Sequence, residues 1–119
     1  MDDSAQVLAL HFHQDMARGV VELARLGYDA TVFRGMLVEH GAVEAARRLV
    51  LDPQPSYGLW RLKELRRLDT SVEMWVLLPW YEPLFGPEVR EQAERKLRLL
   101  DVDVDAELAR LVHRLPRPG

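Results

Sequence analysis

Residues 69–85 read Asp69-Thr70-Ser71-Val72-Glu73-Met74-Trp75-Val76-Leu77-Leu78-Pro79-Trp80-Tyr81-Glu82-Pro83-Leu84-Phe85. A polar start runs into the most apolar stretch of the chain, which Pro79 and Pro83 then break. Thr70 and Glu73 have the Thr-x-x-Glu spacing of a capping box, in which two side chains satisfy backbone N–H groups left open at a helix start. The spacing predicts a buried helix over 71–78. Pro79 has no N–H and stops it. Trp80, Tyr81, Leu84 and Phe85 gather around Pro83 as a rigid aromatic corner, with Trp80 and Tyr81 expected to show an edge to solvent. No strand-like alternation accompanies this helix, which points to an all-α fold.

Helical spacing continues on both sides of that stretch. Upstream, Leu59, Leu62, Leu65 and Leu68 predict the buried side of a helix over 59–68, preceded by the Pro/Gly loop Asp52–Gly58. Residues 42–51 form another helix, burying Val43, Ala46, Leu49 and Val50, with Glu44 placed to pair with Arg47 and Arg48. Asp29 is expected to cap a helix over 30–40 that Gly41 ends. The longest helix spans 5–26, capped by Ser4 or Asp3 and closed by Gly27. It has two apolar lines. One is Leu8, Phe12, Met16, Leu23 and Leu26; the other is Val7, Leu10, Ala17, Val21 and Ala24. A helix this apolar is expected to be covered on most sides. Downstream, Gly86-Pro87-Glu88 is a strong helix start. That helix runs to Leu100, with Glu91–Arg95 and Glu94–Arg98 as ion pairs. Asp103 or Asp101 caps a last helix over 104–115. The expectation is one compact all-α bundle of six or seven short helices over 1–115, with 116–119 as a disordered tail.

Composition narrows the chemistry. The chain has 119 residues, 48% of them apolar, and no cysteine, so thiol catalysis, thiolate metal sites and disulfides are excluded. Net charge is −3, which gives no global attraction to nucleic acid or an anionic membrane. The longest charge-free run, Ser4–Gln14 with histidine counted as neutral, and the apolar run Met74–Tyr81 are shorter than the ~20 residues of a spanning helix. A cysteine-free chain with an acidic start fits the cytoplasm.

Several constellations are candidates for function. Arg61, Lys63, Arg66 and Arg67 cluster beside Tyr57 and Trp60; this set suits a phosphate backbone with an aromatic for base stacking, or an acidic protein partner. A solvated, salt-bridged helix face accounts for the same residues. Trp80, Tyr81 and Phe85 suit the anchor of a protein interface. His11, His13 and Asp15 come nearest to a metal site, yet on a helix His13 points about 200° away from His11, so no metal or cofactor is expected. Asp69 and Glu73 share a helical face but are explained by capping. No nucleophile elbow, P-loop or Gly-x-Gly-x-x-Gly is present.

The motifs Gly27-Tyr28-Asp29-Ala30-Thr31-x-Phe33, Met36-Leu37-x-Glu39-x-Gly41, Ala46-x-x-Leu49, Ser56-x-Gly58-Leu59-x-x-Leu62, Arg67-Leu68-Asp69-x-Ser71-Val72-Glu73 and Trp80-x-x-Pro83-Leu84-Phe85 carry a resemblance that extends from Tyr28 to about Leu97. In this combination the chain resembles a widespread, uncharacterised family of small all-α bacterial domains. Ala42 and Thr70 stand where that family has a glycine and a leucine. The resemblance implies a bacterial accessory module and transfers no catalytic residue.

The leading expectation is a non-enzymatic cytoplasmic binding module acting through another protein, with a homodimer compatible. A nucleic-acid-binding module using Arg61 to Arg67 is the first alternative. A small hydrolase or metal-binding protein using His11, Asp15 or Glu73 is the second. No membrane partner is expected.

Overall fold

The computed structural model describes residues 3–54 and 57–118. Seven α-helices form among them: α1 (Asp3–Arg25), α2 (Thr31–His40), α3 (Ala42–Leu51), α4 (Tyr57–Glu64), α5 (Val72–Val76), α6 (Pro87–Leu99) and α7 (Val104–Arg114). Short 3₁₀ segments occupy Leu68–Thr70 and Pro79–Leu84. No strand occurs among the described residues, so the all-α reading holds.

The five-residue α5 sits at the centre, packed against α3, α6 and both 3₁₀ segments. Met74, Val76 and Leu78 are completely buried there. α1 crosses α2, α3 and the Pro79–Leu84 segment. It buries Phe12, Met16, Val20 and Leu23. α7 packs on α6.

Local chemistry departs from the sequence reading at three helix ends. α5 is capped by Ser71, not Thr70: Ser71 has extended backbone, and its Oγ accepts the Met74 N–H at 3.1 Å. Thr70 instead donates its hydroxyl to the Arg67 carbonyl at 2.6 Å. Glu73 therefore falls one place too early to close a capping box. α2 begins after Ala30 with no side-chain cap, and Asp29 turns to Arg34 at 3.8 Å. α4 stops at Glu64 because the backbone turns left-handed at Arg66 (φ 57°), with Arg66 N–H on Lys63 O and Arg67 N–H on Leu62 O. The same pair of bonds closes α1 around Gly27 (φ 86°) and α6 around Asp101 (φ 63°). This is the Schellman motif.

Other expectations are met or shifted by a contact. Asp103 caps α7, its Oδ1 accepting from Ala106 N–H at 3.2 Å. Glu44 holds both Arg47 and Arg48 at 2.9 Å, which keeps its carboxyl down at about 2. Glu94 pairs with Arg98 at 2.7 Å, while Arg95 donates to Gln92 rather than to Glu91. Covering of α1 on most sides does not occur: Val7, Leu10 and Val21 are each more than half exposed.

Candidate functional site

A cavity of about 800 Å³ opens between the inner face of α1, the start of α2, α4, α5 and the end of α7. Its walls are mainly apolar: Leu23, Phe33, Leu59, Val72 and Trp75 contribute from four helices, and Tyr28 from the α1–α2 connection. Leu115 and Pro116 also line it, so Pro116, assigned to the tail from sequence, belongs to the wall. α1 presents Gly19 to it, where an added Cβ would meet nothing within 4 Å.

Three polar groups border the cavity. The first is built on Asp15, whose side chain is buried on α1. Tyr81 donates its hydroxyl to Asp15, as does the Arg18 guanidinium. His11 Nδ1 stands 3.0 Å from the same phenol oxygen and 3.5 Å from Asp15. Burial first, and the Asp15 carboxylate second, push the Tyr81 phenol far above its usual range, so it stays protonated and acts as a donor.

The second group lies at the rim. Arg67 reaches Glu22 at 3.5 Å and Asp69 at 3.4 Å, and Arg114 reaches Asp69 at 3.5 Å. Trp75 Nε1 donates to the Asp69 carbonyl at 2.9 Å, fixing the indole on the wall. Arg67 therefore joins α1 to the 3₁₀ turn, and pairs with neither Glu73 nor Glu39.

The third group is a buried charge pair. Lys96 and Glu73 are both at least 98% buried and 3.7 Å apart, with Lys96 Nζ donating to the Leu49 carbonyl at 2.9 Å. Desolvation raises the Glu73 carboxyl above its ordinary range, and Lys96 pulls it back. Glu73 Oε2 has no hydrogen-bond partner among the described residues. Glu73 and Leu49 both touch the cavity.

The expected site residues are scattered differently from the sequence reading. Tyr81 and Phe85 are buried (0% and 3% exposed), which corrects the solvent-facing corner. The 3₁₀ turn that starts at Pro79 folds them onto α1. Phe12 meets both rings edge-on, at 4.9 Å and 5.1 Å. Trp80 alone of the three keeps a partly open face, and it borders the cavity. The basic cluster is also divided, because α4 ends before Arg66. Arg61 faces Glu64 at 3.7 Å, and Lys63 faces Asp101 at 4.0 Å while lying over the Trp60 ring at 5.6 Å. Arg66 is exposed on the turn. The Tyr57 side chain lies outside the described residues.

Sequence reasoning missed Lys96. Its signal was present, since Lys96 lies seven residues after Val89 and three after Ala93, on the apolar face of α6. No set of three or more metal-ligating side chains occurs among the described residues. No described helix is long and apolar enough to cross a membrane. The chain matches no protein-family model, no curated protein and no solved structure.

Proposed function

We propose that this protein is a non-enzymatic binding module acting through a protein partner, and that it works through the α1–α2–α4–α7 cavity. The observation that carries this reading is the cavity itself. About 800 Å³ of mainly apolar space in a 119-residue chain falls within the range of pockets that hold ligands, roughly 300–1,000 Å³. The occupant is an apolar segment of the partner. The wall supplies what an interface anchor needs, a desolvated aromatic pocket under a polar rim. Half-open Trp80 and well-exposed Val32 extend the apolar surface past the mouth.

The bordering polar groups favour binding over turnover. Tyr81 is a neutral donor tied to Asp15, Asp15 is held by Arg18 as well, and Glu73 faces Lys96. The Tyr81 hydroxyl stays protonated although His11 stands 3.0 Å away, and Asp15 and Glu73 each face a cation, so these groups do not present an activated nucleophile. Nucleic acid is the weaker rival, because Arg61, Lys63 and Arg67 already face carboxylates and net charge is −3. A free amphiphile is a second reading, favoured by the cavity volume.

Filling the cavity tests this. Gly19→Phe places a ring into open space from a helical position, while Gly19→Ala leaves the cavity open and controls for loss of glycine. An environment-sensitive naphthalene dye, excited by energy transfer from Trp75 and Trp80, should bind wild type and Gly19→Ala but not Gly19→Phe. A partner held by the first two and lost by the third supports the proposal. Equal dye binding by all three proteins removes the cavity from the account. Dye binding as expected, with partner capture unchanged in Gly19→Phe, leaves a small amphiphile as the occupant.

A further inference from the structure

The face of α1 opposite the cavity is unpartnered. Val7, Leu10, Gln14, Ala17, Val21 and Ala24 are all exposed, and none touches the cavity. Val7, Leu10 and Val21 are 65%, 58% and 55% exposed. Successive spacings along this line are three, four, three, four and three residues. That is the a/d heptad repeat of a coiled-coil seam, sustained over the described length of the helix.

We infer that α1 pairs with α1 of a second copy, antiparallel, to form a weak homodimer. The order of residues selects both the partner and the direction. Reversing the seam on itself sets Val7 against Ala24, Leu10 against Val21 and Gln14 against Ala17 of the other copy. At the end layers and at the centre a larger side chain meets a small one, and Leu10 meets Val21 between them. A parallel pair would set Leu10 on Leu10 and Ala17 on Ala17, crowding one layer and leaving a void at the next. Gln14 at an a position fixes the register at some cost in stability. A helix from an unrelated protein would not need a seam that reads as its own complement. The seam is about 27 Å long at 1.5 Å per residue. Alone this is short of a standard interface, so the dimer forms at micromolar or higher concentration. The inference does not depend on what occupies the cavity.

Sedimentation equilibrium from low micromolar to millimolar concentration tests it directly. Wild type should shift from monomer to dimer. Leu10→Glu is at an exposed position and leaves the fold intact by circular dichroism, yet weakens association more than about tenfold. A monomer throughout the range, or a dimer indifferent to Leu10→Glu, overturns the inference. Direction is read by oxidative cross-linking, since the chain has no cysteine of its own. A mixture of Leu10→Cys and Val21→Cys should give the mixed disulfide dimer. Leu10→Cys alone should not cross-link, because its two copies lie about 16 Å apart along an antiparallel pair. Efficient cross-linking of Leu10→Cys with itself overturns the antiparallel register.

Discussion

Lys96 and Glu73 show how much a single residue decides in this fold. Each is a charge in a place fit for a leucine, and each is tolerated because the other is there. Glu73 is raised above its ordinary value, so its sign follows simply. The unfolded carboxyl ionises near 4.3; the folded one ionises later. The neutral form is the one that suits the fold. Stability from this group is full below the unfolded value and declines as pH rises through the folded value. Lys96→Met removes the charge that limits the decline. The variant should lose about 3–5 kcal/mol at roughly pH 8 and less at a chosen acidic pH, as Glu73 takes up a proton. Urea unfolding at the two pH values measures the difference, and adding Glu73→Gln should flatten it. Equal losses at both would mean that Glu73 is not the group left exposed by the change.

At the scale of the element, the helix ends show what was legible and what was not. Gly27, Gly41 and Pro87 announced their boundaries, because each has a backbone that few other residues share. Arg66 and Asp101 adopt the same left-handed turn as Gly27 without a glycine. Nothing in Arg66 as a residue type marks that turn, so α4 was read four residues too long and the basic cluster too neat. The α5 start was mistaken by one residue because Thr70 and Ser71 are both good caps, and only geometry shows which oxygen reaches an N–H. Ser71→Ala should therefore cost about 1 kcal/mol. Thr70→Ala should cost less, since its hydroxyl supplies only one extra bond to a carbonyl that already accepts the Thr70 N–H. Thermal or urea unfolding of the two variants compares them, and the reverse order would restore Thr70 as the cap.

For the whole molecule, the bundle was legible from periodicity; on α3, Ala46 and Val50 are buried as read, while Val43 and Leu49 are half-buried and Ala42 and Ala45 take inner positions. The cavity was not legible. Its walls come from six helices and the turns between them, and spacing within one helix does not flag which side chains of separate helices face a common space. The aromatic corner was recognised as a unit but turned the wrong way, because Pro79 opens a 3₁₀ turn that rotates Tyr81 onto Phe12. The charge pattern on the surface also bears on nucleic acid. With Arg61, Lys63 and Arg67 engaged, labelled single- and double-stranded DNA and RNA should show no saturable binding at about 50 mM salt. Saturable binding that falls about a thousandfold by roughly 200 mM, and that Arg66→Glu with Arg67→Glu abolishes, would restore the basic surface as the working one.

α1 carries the cavity wall on one side and the heptad seam on the other, within a single rigid rod of 23 residues. Two events on opposite sides of one rod are thermodynamically linked if either changes its tilt or rotation. The linkage is reciprocal: whatever factor an occupant contributes to self-association, self-association returns to the occupant's affinity. Protein concentration then becomes a control on binding, and apparent affinities measured on dilute and concentrated samples will disagree by that same factor.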